Sequence, residues 1–302
     1  MIDLIRRKYL FLSVSGVLVA AAIFSILVFG FREGVDFKGG TLWQIKINDQ
    51  SVTTEDVTAI IQPEISKIGE AKINRDISSD SFLARLPVLN ETEHQKLIEI
   101  LKAKFPKAEE LSFQSIGPSV GAALRKNAFI SIALVLIGIS LYIAYSFRKV
   151  SRPISSWKYG FVTLISLFHD IAIPAGLLAI LGHFGTVEID GNFVVALLVI
   201  MGFSVHDTIV VFDRIRENLY NDKGKSDFGQ VINTSVNQTI ARSINTSLTL
   251  VLVLLALFFA GPINLKYFIL TLLIGVVMGT YSSIFVASPA LYIWQKLSKK
   301  GK

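Results

Sequence analysis

The sequence predicts an α-helical integral membrane protein with six transmembrane helices and one α+β ferredoxin-like extracytoplasmic domain. Hydrophobic residues make up 52% of the 302 residues, which is above the average for soluble domains. Six apolar stretches are long enough to cross a membrane as helices. A polar segment, residues 31–126, separates the first stretch from the second.

The apolar stretches divide the chain into four predicted parts, since about 20 apolar residues cross the hydrocarbon core as a helix. The first stretch is longer than a typical signal-peptide core, and no small-x-small cleavage site follows it, so we expect a retained membrane helix. The parts are a first transmembrane helix (1–30), an α+β domain with glycine-rich hinges (31–126), a five-helix bundle (127–295) and a basic tail (296–302). The stretches are 9–29, 128–147, 157–181, 193–212, 244–260 and 267–294.

Lysine and arginine predict the orientation, because cytoplasmic loops carry an excess of both. The basic residues fall before the first stretch, after the second, after the fourth and after the sixth, whereas segments 182–192 and 261–266 carry few. We therefore expect both termini to be cytoplasmic and residues 31–126 to be extracytoplasmic. The residues are Arg6, Arg7, Lys8, Arg148, Lys149, Arg152, Lys158, Arg214, Arg216, Lys223, Lys225, Arg242, Lys296, Lys299, Lys300 and Lys302.

Charge and cysteine content exclude several classes of function. The net charge of +7 fits basic cytoplasmic loops, and no aromatic-basic stripe accompanies it, so we expect no nucleic-acid binding. The chain has no cysteine, which excludes disulfides, thiol catalysis and Cys-ligated metal sites.

The polar segment predicts a strand–helix–strand–strand–helix–strand order, which is the ferredoxin-like arrangement. Residues 41–47 alternate apolar and polar side chains as a half-buried strand does, and 54–68 has apolar residues at helical spacing. Strands are expected at 70–77, 81–88 and 110–116. Asn90 and Glu93 resemble a capping box that opens the second helix. On that helix we expect His94 to be a solvated surface residue.

Two glycine-bearing junctions flank this domain. They contain Gly34, Gly39 and Gly40 on one side and Gly117 and Pro118 on the other. Glycines permit positive φ, and Gly-Pro marks a stiff turn. The junctions are either simple linkers or hinges that let the domain swing relative to the membrane.

Ionisable groups inside the apolar stretches are the strongest functional signal. A charged side chain near the bilayer centre costs about 2.5–3.5 kcal/mol on insertion scales, so such residues usually serve a function. Pairing of Asp207 with Arg242 is geometrically reasonable, and movement of the arginine would load or release a proton on the carboxylate. A static ion pair would explain the same residues, and facing His-Asp pairs could hold a metal ion, which we do not expect. The candidate proton-coupling residues are Asp207, Arg242, His206, Asp213, His169 and Asp170.

Two further features concern helix shape and packing. Pro174 removes the helical hydrogen bond to the carbonyl of Asp170, so it predicts a kink that could line a water path or serve packing. The last stretch carries Thr271, Gly275, Gly279 and Ser283 at steps of four, a small-residue face that allows close packing within the chain or with a partner.

Several of these segments resemble the SecF members of the SecD/SecF protein-export family, which is related to the proton-driven RND exporters. They are GVDFKGGT at 34–41, GPSVG at 117–121, HDTIVVFDRIREN at 206–218, ARSINTSLT at 241–249 and the stretch 261–289. The resemblance covers nearly the whole chain. Many members carry asparagine where His206 stands, so this residue departs from the family pattern.

The resemblance implies a subunit that uses the proton-motive force to promote protein translocation across the bacterial inner membrane. It implies that the motif aspartate and the arginine of the fifth span, Asp207 and Arg242 here, take part in proton conduction. The implied partners are SecD, the SecYEG channel, the SecA ATPase, the exported unfolded polypeptide and membrane lipid. We expect no cofactor apart from protons, and no enzymatic activity.

Three alternative functions are a transporter half, a membrane scaffold and a metal-dependent enzyme. An RND-type exporter half for lipid or small molecules usually has much larger extracytoplasmic domains than residues 31–126 provide. A membrane scaffold would leave the intramembrane Asp and His residues unexplained. A metal-dependent intramembrane enzyme would need the two His-Asp pairs to converge on one ion.

Overall fold

The computed structural model describes residues 3–49, 51–76, 80–147, 155–185 and 187–300. Arg148, Lys149, Arg152 and Lys302, which supported the predicted orientation, lie outside these ranges. In chain order the elements are α1 (Lys8–Phe29), α2 (Val35–Lys38), β1 (Gly40–Ile47), α3 (Thr54–Ile65), β2 (Lys72–Asp76), β3 (Ser81–Leu86), α4 (Glu91–Lys104), β4 (Ala108–Ile116), α5 (Pro118–Ser146), α6 (Ser156–Phe184), α7 (Gly191–Asp222), α8 (Phe228–Ala260), a 3₁₀ turn (Ile263–Leu265), α9 (Lys266–Ser282), a π-helical segment (Ser283–Ala287) and α10 (Ser288–Lys300).

Six helical stretches of the described residues are long and apolar enough to cross a membrane, so the chain is a multi-pass membrane protein. They are α1, α5, α6, α7, α8 and the last stretch, in which α9 continues through the π-helical segment into α10. The helices extend beyond the predicted apolar stretches. For example, α8 begins at Phe228 because the Asp227 carboxylate accepts a hydrogen bond from the Gly229 amide at 2.9 Å and caps its first turn.

The centre of the bundle consists of α6, α7 and α9, whose side chains are the most extensively buried, whereas α1, α5 and α8 leave most of their apolar surface exposed. Small residues allow the helices to approach closely. A Cβ at Gly176 of α6 would lie 2.5 Å from the Cα of Ala22 on α1, so only glycine fits at this contact. Helix α6 remains one helix through Pro174.

The α+β domain is ferredoxin-like, as predicted. Its sheet is antiparallel throughout with the order β2-β3-β1-β4, and α3 and α4 supply the apolar side chains that cover it. Trp43, Phe82 and Leu97 lie in the core between sheet and helices. The capping box of Asn90 and Glu93 is confirmed, with both hydrogen bonds at 2.9 Å.

The expectation that His94 is a solvated surface residue is wrong. Its side chain is 5% exposed, its ring stacks on Phe113 at 3.5 Å, and Nε2 lies 2.6 Å from a carboxylate oxygen of Glu110. His94 is one helical turn before Leu97, on the face that packs against the sheet. The polar residues next to it, Gln95 and Lys96, are exposed to solvent. The polar composition of the helix therefore led to the wrong expectation that His94 is exposed too.

Candidate functional site

Two buried carboxyl groups lie on the central helices of the bundle. Asp170 of α6 is fully buried and Asp207 of α7 is 6% exposed. A carboxyl group taken out of water needs hydrogen bonds or neutralisation, since an unpaired buried charge is strongly unfavourable. Both groups have hydrogen-bond donors, and the last span provides a donor to each.

Asp170 has polar partners from three helices. Ser204 of α7 and Ser282 of α9 donate to its Oδ2 at 2.5 and 2.7 Å. The Nδ1 of His169 lies 2.8 Å from Oδ1, so the adjacent histidine contacts the same carboxyl group. Ser166, one turn earlier on α6, donates to the hydroxyl of Ser282 at 2.9 Å. The group is therefore enclosed by hydroxyls and one imidazole.

Asp207 has a simpler environment. The Ser283 hydroxyl donates to its Oδ2 at 2.5 Å. Among the described residues, Ser283 is the hydrogen-bond partner of this carboxyl group. The hydroxyls of Ser247 on α8 and Thr280 on α9 are hydrogen-bonded to each other, which adds a polar contact between α8 and α9.

The structure does not bring all six predicted proton-coupling residues together. His169, Asp170 and Asp207 are buried, whereas His206, Asp213 and Arg242 are exposed. Asp213 forms an ion pair with Arg216 at 2.6 Å. In the described part of the chain, neither a hydrogen bond nor an ion pair joins Asp207 to Arg242 in this conformation, so that pairing stays a prediction for another conformation.

The described residues contain no group of three His, Asp or Glu side chains that could hold a metal ion. The two His-Asp pairs are therefore arranged as separate sites here. His169 and Asp170 contact each other, but the ring of His206 is exposed.

The small-residue face of the last span packs within the chain, against α7. A side chain at Gly275 would collide with Ile200, and a Cβ at Gly279 would lie 3.2 Å from that of Ser204. Ser283, on the same face, contacts Asp207. The close approach of the last span to α6 and α7 brings Ser282 and Ser283 within hydrogen-bond distance of the two carboxyl groups.

Sequence reasoning missed the serines as carboxyl partners and missed the π-helical segment. Ser282 ends α9 and Ser283 begins the π turn, and the Ser288 hydroxyl donates to the Ser283 carbonyl at 3.2 Å. Pro289 follows directly and cannot donate a helical hydrogen bond, so the preceding backbone must adjust. The sequence signal for this irregular helix was the presence of three serines and a proline, Ser282, Ser283, Ser288 and Pro289, in one apolar stretch. π-Helical turns are frequent at functional sites.

The predicted hinge glycines lie in ordered contacts rather than in extended linkers. Gly39 and Gly40 have φ of +80° and +135°, which only glycine adopts readily. A Cβ at Gly39 would lie 3.1 Å from both the Ile116 carbonyl oxygen and the Pro118 nitrogen, so the two junctions contact each other. Gly117 caps the start of α5. Whether the junctions bend during function stays a prediction.

A junction of hydrogen bonds and ion pairs, which we call the latch, joins the α+β domain to the start of α7. The Gly34 amide donates to the Ile189 carbonyl at 2.9 Å, and the Gly191 amide, the first of α7, donates to the Asp36 carboxylate at 2.7 Å. Glu188 accepts from Arg85 of β3 at 2.9 Å and lies 3.4 Å from Arg32. The domain and the helix that carries Asp207 are thus directly connected.

Asp190 caps α7 inside this latch. Burial raises the pKa of Asp190 above its ordinary value, and the nearby Asp36 carboxylate raises it further, although hydrogen bonds from Phe193 and Asn192 oppose the shift. The Phe193 amide donates to the Asp190 carboxylate at 3.0 Å, which is the N-cap hydrogen bond of the helix.

Comparison with known proteins identifies one family over most of the chain. The family model of the protein export membrane protein SecD/SecF C-terminal region matches residues 96–297, and the SecD/SecF GG motif matches residues 24–48. The protein translocase subunit SecF of Thermobaculum terrenum is 46% identical and covers 98% of this chain and 94% of its own length. SecF of Sebaldella termitidis is 36% identical over 100% of this chain and 94% of its own.

A solved structure has the same fold as this chain. The crystal structure of SecDF from Thermus thermophilus, titled a translocon-associated membrane protein, matches with a TM-score of 0.79 and 31% identity. The match covers 97% of this chain but 38% of the SecDF chain. This chain therefore corresponds to one part of a longer polypeptide in that organism.

Proposed function

Because the chain belongs to the SecD/SecF family of protein-export membrane proteins, we propose that it uses the proton-motive force to promote protein translocation as an accessory subunit of the Sec translocon. The observation that carries this proposal is the pair of buried, hydroxyl-bonded carboxyl groups, Asp170 and Asp207, at the centre of a translocase-type bundle. The matched relatives are named as translocase subunits, which favours polypeptide over lipid or drug as the transported substrate.

Proton binding at Asp207 would change the bundle electrostatically. Burial of an ionised carboxylate costs more free energy than burial of a protonated carboxyl group. Once protonated, Asp207 would therefore need fewer hydrogen-bond donors close to it. One elementary charge that crosses 100 mV releases about 2.3 kcal/mol, enough to bias two conformations of similar energy. In this scheme Arg242 approaches Asp207 when the carboxylate is ionised and retreats when it is protonated.

Buried hydroxyls beside these two residues support a proton route between α7 and α8. Thr208 follows Asp207, and Ser243 follows Arg242; both hydroxyls are buried, without a hydrogen-bond partner in the described residues. Such groups bind water readily in protein interiors. The coupling ion is the proton, and the scheme needs no further cofactor.

The latch supports transmission of this change to the α+β domain. Asp207 lies sixteen residues after Gly191, the first residue of α7, which corresponds to about 24 Å along a helix. A shift of α7 would therefore act on Asp36 and Glu188, and through Glu188 on Arg85 of the sheet.

The proposed setting is the bacterial inner membrane, with both termini cytoplasmic and the α+β domain on the extracytoplasmic side, where it would contact the emerging unfolded polypeptide. The proposed partners are SecD, which corresponds to the remaining length of the matched SecDF chain, the SecYEG channel and the SecA ATPase. The exposed apolar faces of α1, α5 and α8 are available for SecD and for lipid.

The test is Asp207→Asn, assayed in inverted membrane vesicles that contain the SecD partner. We expect intact assembly and ATP-driven export, but loss of the additional export that a proton gradient stimulates. The matched control is Glu217→Gln on the same helix, whose side chain is 53% exposed and pairs with Arg214. Gradient-stimulated export that is equal in parent, Asp207→Asn and control would overturn the proposal.

A further inference from the structure

The two buried carboxyl groups are connected by a pair of adjacent serines. Resting on the function proposed above, we infer that Asp170 is a second proton-binding group and that Ser282 and Ser283 make its protonation depend on that of Asp207. The proton is taken up from water and returned to water, and only O–H bonds form and break.

The first step of the argument is that two consecutive residues, the last of α9 and the first of the π-helical segment, contact carboxyl groups on two different helices. Ser282 donates to Asp170 of α6 at 2.7 Å, and Ser283 donates to Asp207 of α7 at 2.5 Å. Both serines are fully buried. Adjacent residues of a helix point about 100° apart, so the last span, positioned beside both α6 and α7, can contact both groups. The two serines are joined by one peptide bond, so two adjacent residues connect the carboxyl groups.

The second step is that each serine hydroxyl has a choice of acceptor. A hydroxyl has one proton to donate and can also accept. The Ser282 oxygen lies 2.7 Å from Asp170 and 3.1 Å from the Gly279 carbonyl, and the Ser283 oxygen lies 2.5 Å from Asp207 and 3.0 Å from the Thr280 carbonyl. An ionised carboxylate attracts the hydroxyl proton, because hydrogen bonds to charged acceptors are stronger. A protonated carboxyl group donates to the serine oxygen, and the hydroxyl proton then turns to the carbonyl.

The third step is the position of these hydroxyls at the change from α to π helix. Ser282 is the last residue of α9 and Ser283 the first of the π-helical segment. The Ser283 carbonyl accepts a hydrogen bond from the Ser288 hydroxyl at 3.2 Å, a side-chain bond that a regular α-helix does not require. Rotation of either serine hydroxyl therefore alters the hydrogen bonds of the segment that positions the other serine.

A second connection runs through α7. Ser204 donates to Asp170 at 2.5 Å and lies one helical turn before Asp207 on the same helix. The single proton of a protonated Asp170 can be donated to Ser204 instead of Ser282, so α7 can be affected at both carboxyl groups. Hydrogen-bond chains of this kind polarise one another in a low-dielectric interior.

The other titratable groups near the pair are few in the described ranges. His169, on the same helix, contacts Asp170 with Nδ1, and Tyr281 of α9 lies against the His169 ring with centroids 6.0 Å apart. On α7 and α8, His206 and Arg242 are exposed. A change in the charge of His169 would act on the Asp170 carboxyl group but would leave the Ser283–Asp207 hydrogen bond in place. The serine variants therefore distinguish an effect of His169 from coupling through the serines.

The test is an infrared titration of the complex in lipid vesicles, following the C=O bands of protonated carboxyl groups. Asp170→Asn and Asp207→Asn assign the bands by their loss. We expect both carboxyl groups to titrate, and we expect Asp170→Asn to move the pH and the frequency at which the Asp207 band appears. In Ser282→Ala/Ser283→Ala, adding Asp170→Asn should move the Asp207 band less than it does in the parent, because only the connection through Ser204 remains. The difference between the two shifts measures the coupling that the two serines carry.

Two results would overturn the inference: an Asp207 band that is identical in parent and Asp170→Asn, or an Asp170 band absent across the whole pH range. If the double serine variant does not assemble, the parent and Asp170→Asn spectra alone decide, since that substitution preserves side-chain shape. Neither result would change the outcome expected in the export assay of Asp207→Asn, so the coupling inference can be wrong while the proposed function is right.

Discussion

Opening of the latch can be measured after one substitution, Glu188→Gln. The carboxylate of Glu188 is 16% exposed and accepts a charged hydrogen bond from Arg85 at 2.9 Å, which contributes about 1.5–3 kcal/mol. Its contact with the more exposed Arg32 adds about 0–1 kcal/mol. Loss of both contacts, about 1.5–4 kcal/mol in total, would increase the population of open latch roughly 10- to 700-fold, since every 1.4 kcal/mol corresponds to tenfold.

Hydrogen–deuterium exchange reports that population directly, because three amides cross the latch. The Gly34, Ile189 and Gly191 amides donate to Ile189, Arg32 and Asp36 respectively. We expect these amides to exchange faster by the factor given above, while amides within β1 and in the middle of α7 keep their rates.

The matched control is Lys96→Gln, which removes the exposed ion pair with Glu64 on the same domain, and we expect it to leave exchange at the latch unchanged. Unchanged exchange at the latch in Glu188→Gln would refute the reasoning. Equal acceleration throughout the domain would also refute it, because that result indicates loss of stability rather than local opening.

Three further predictions concern stability, measured as the apparent melting temperature of the full chain in detergent. His94→Ala should destabilise the α+β domain by about 2–4 kcal/mol, because it removes a buried stacked ring and a hydrogen bond. Gly275→Leu should cost about 1–3 kcal/mol through collision with Ile200, whereas Gly138→Leu on α5, where a Cβ would meet no atom within 4 Å, should not. Asp190→Asn keeps an N-cap residue and should leave stability at neutral pH equal or higher.

The sign of the last prediction follows from the raised pKa of Asp190. A carboxyl group whose pKa is higher in the folded protein contributes stability that is full below its unfolded pKa of about 3.9 and is lost as pH rises through the folded value. Asp190→Asn should remove this loss, so the parent should gain stability relative to the variant upon acidification. An identical pH dependence in both proteins would contradict the assignment.

The His94→Ala and Gly275→Leu predictions each have an outcome that would contradict them. A His94→Ala variant that melts at the same temperature as the parent would mean that the buried ring makes no net contribution to stability. Restoration of Gly275→Leu by Ile200→Ala would locate the collision between these residues, and its absence would place the damage elsewhere.

Apolar length and strand–helix alternation were sufficient to predict the six spans and the ferredoxin-like domain. The positions of Asp170 and Asp207 inside the bundle also followed, since a carboxylate in an apolar stretch must face other helices. Helix ends were not predicted, because hydropathy stops where the apolar residues stop, whereas caps such as Asp227 decide where a helix begins.

The contacts of the carboxyl groups depend on helix rotation and register, which no single-helix pattern contains. A serine in an apolar helix can bond its own backbone, as Ser140 does to Leu136, or a neighbouring helix, as Ser282 does to Asp170. The sequence of α9 is compatible with both. The glycine spacing of that span indicated a close interface but could not identify α7 as the neighbour.

The most direct measurement is proton entry into vesicles that contain the purified chain with its SecD partner. A pH-sensitive dye inside the vesicles would record acidification when a membrane potential is imposed. We predict acidification with the parent and with Glu217→Gln, and none above protein-free vesicles with Asp207→Asn. Equal acidification with and without the Asp207 carboxyl group would contradict the account.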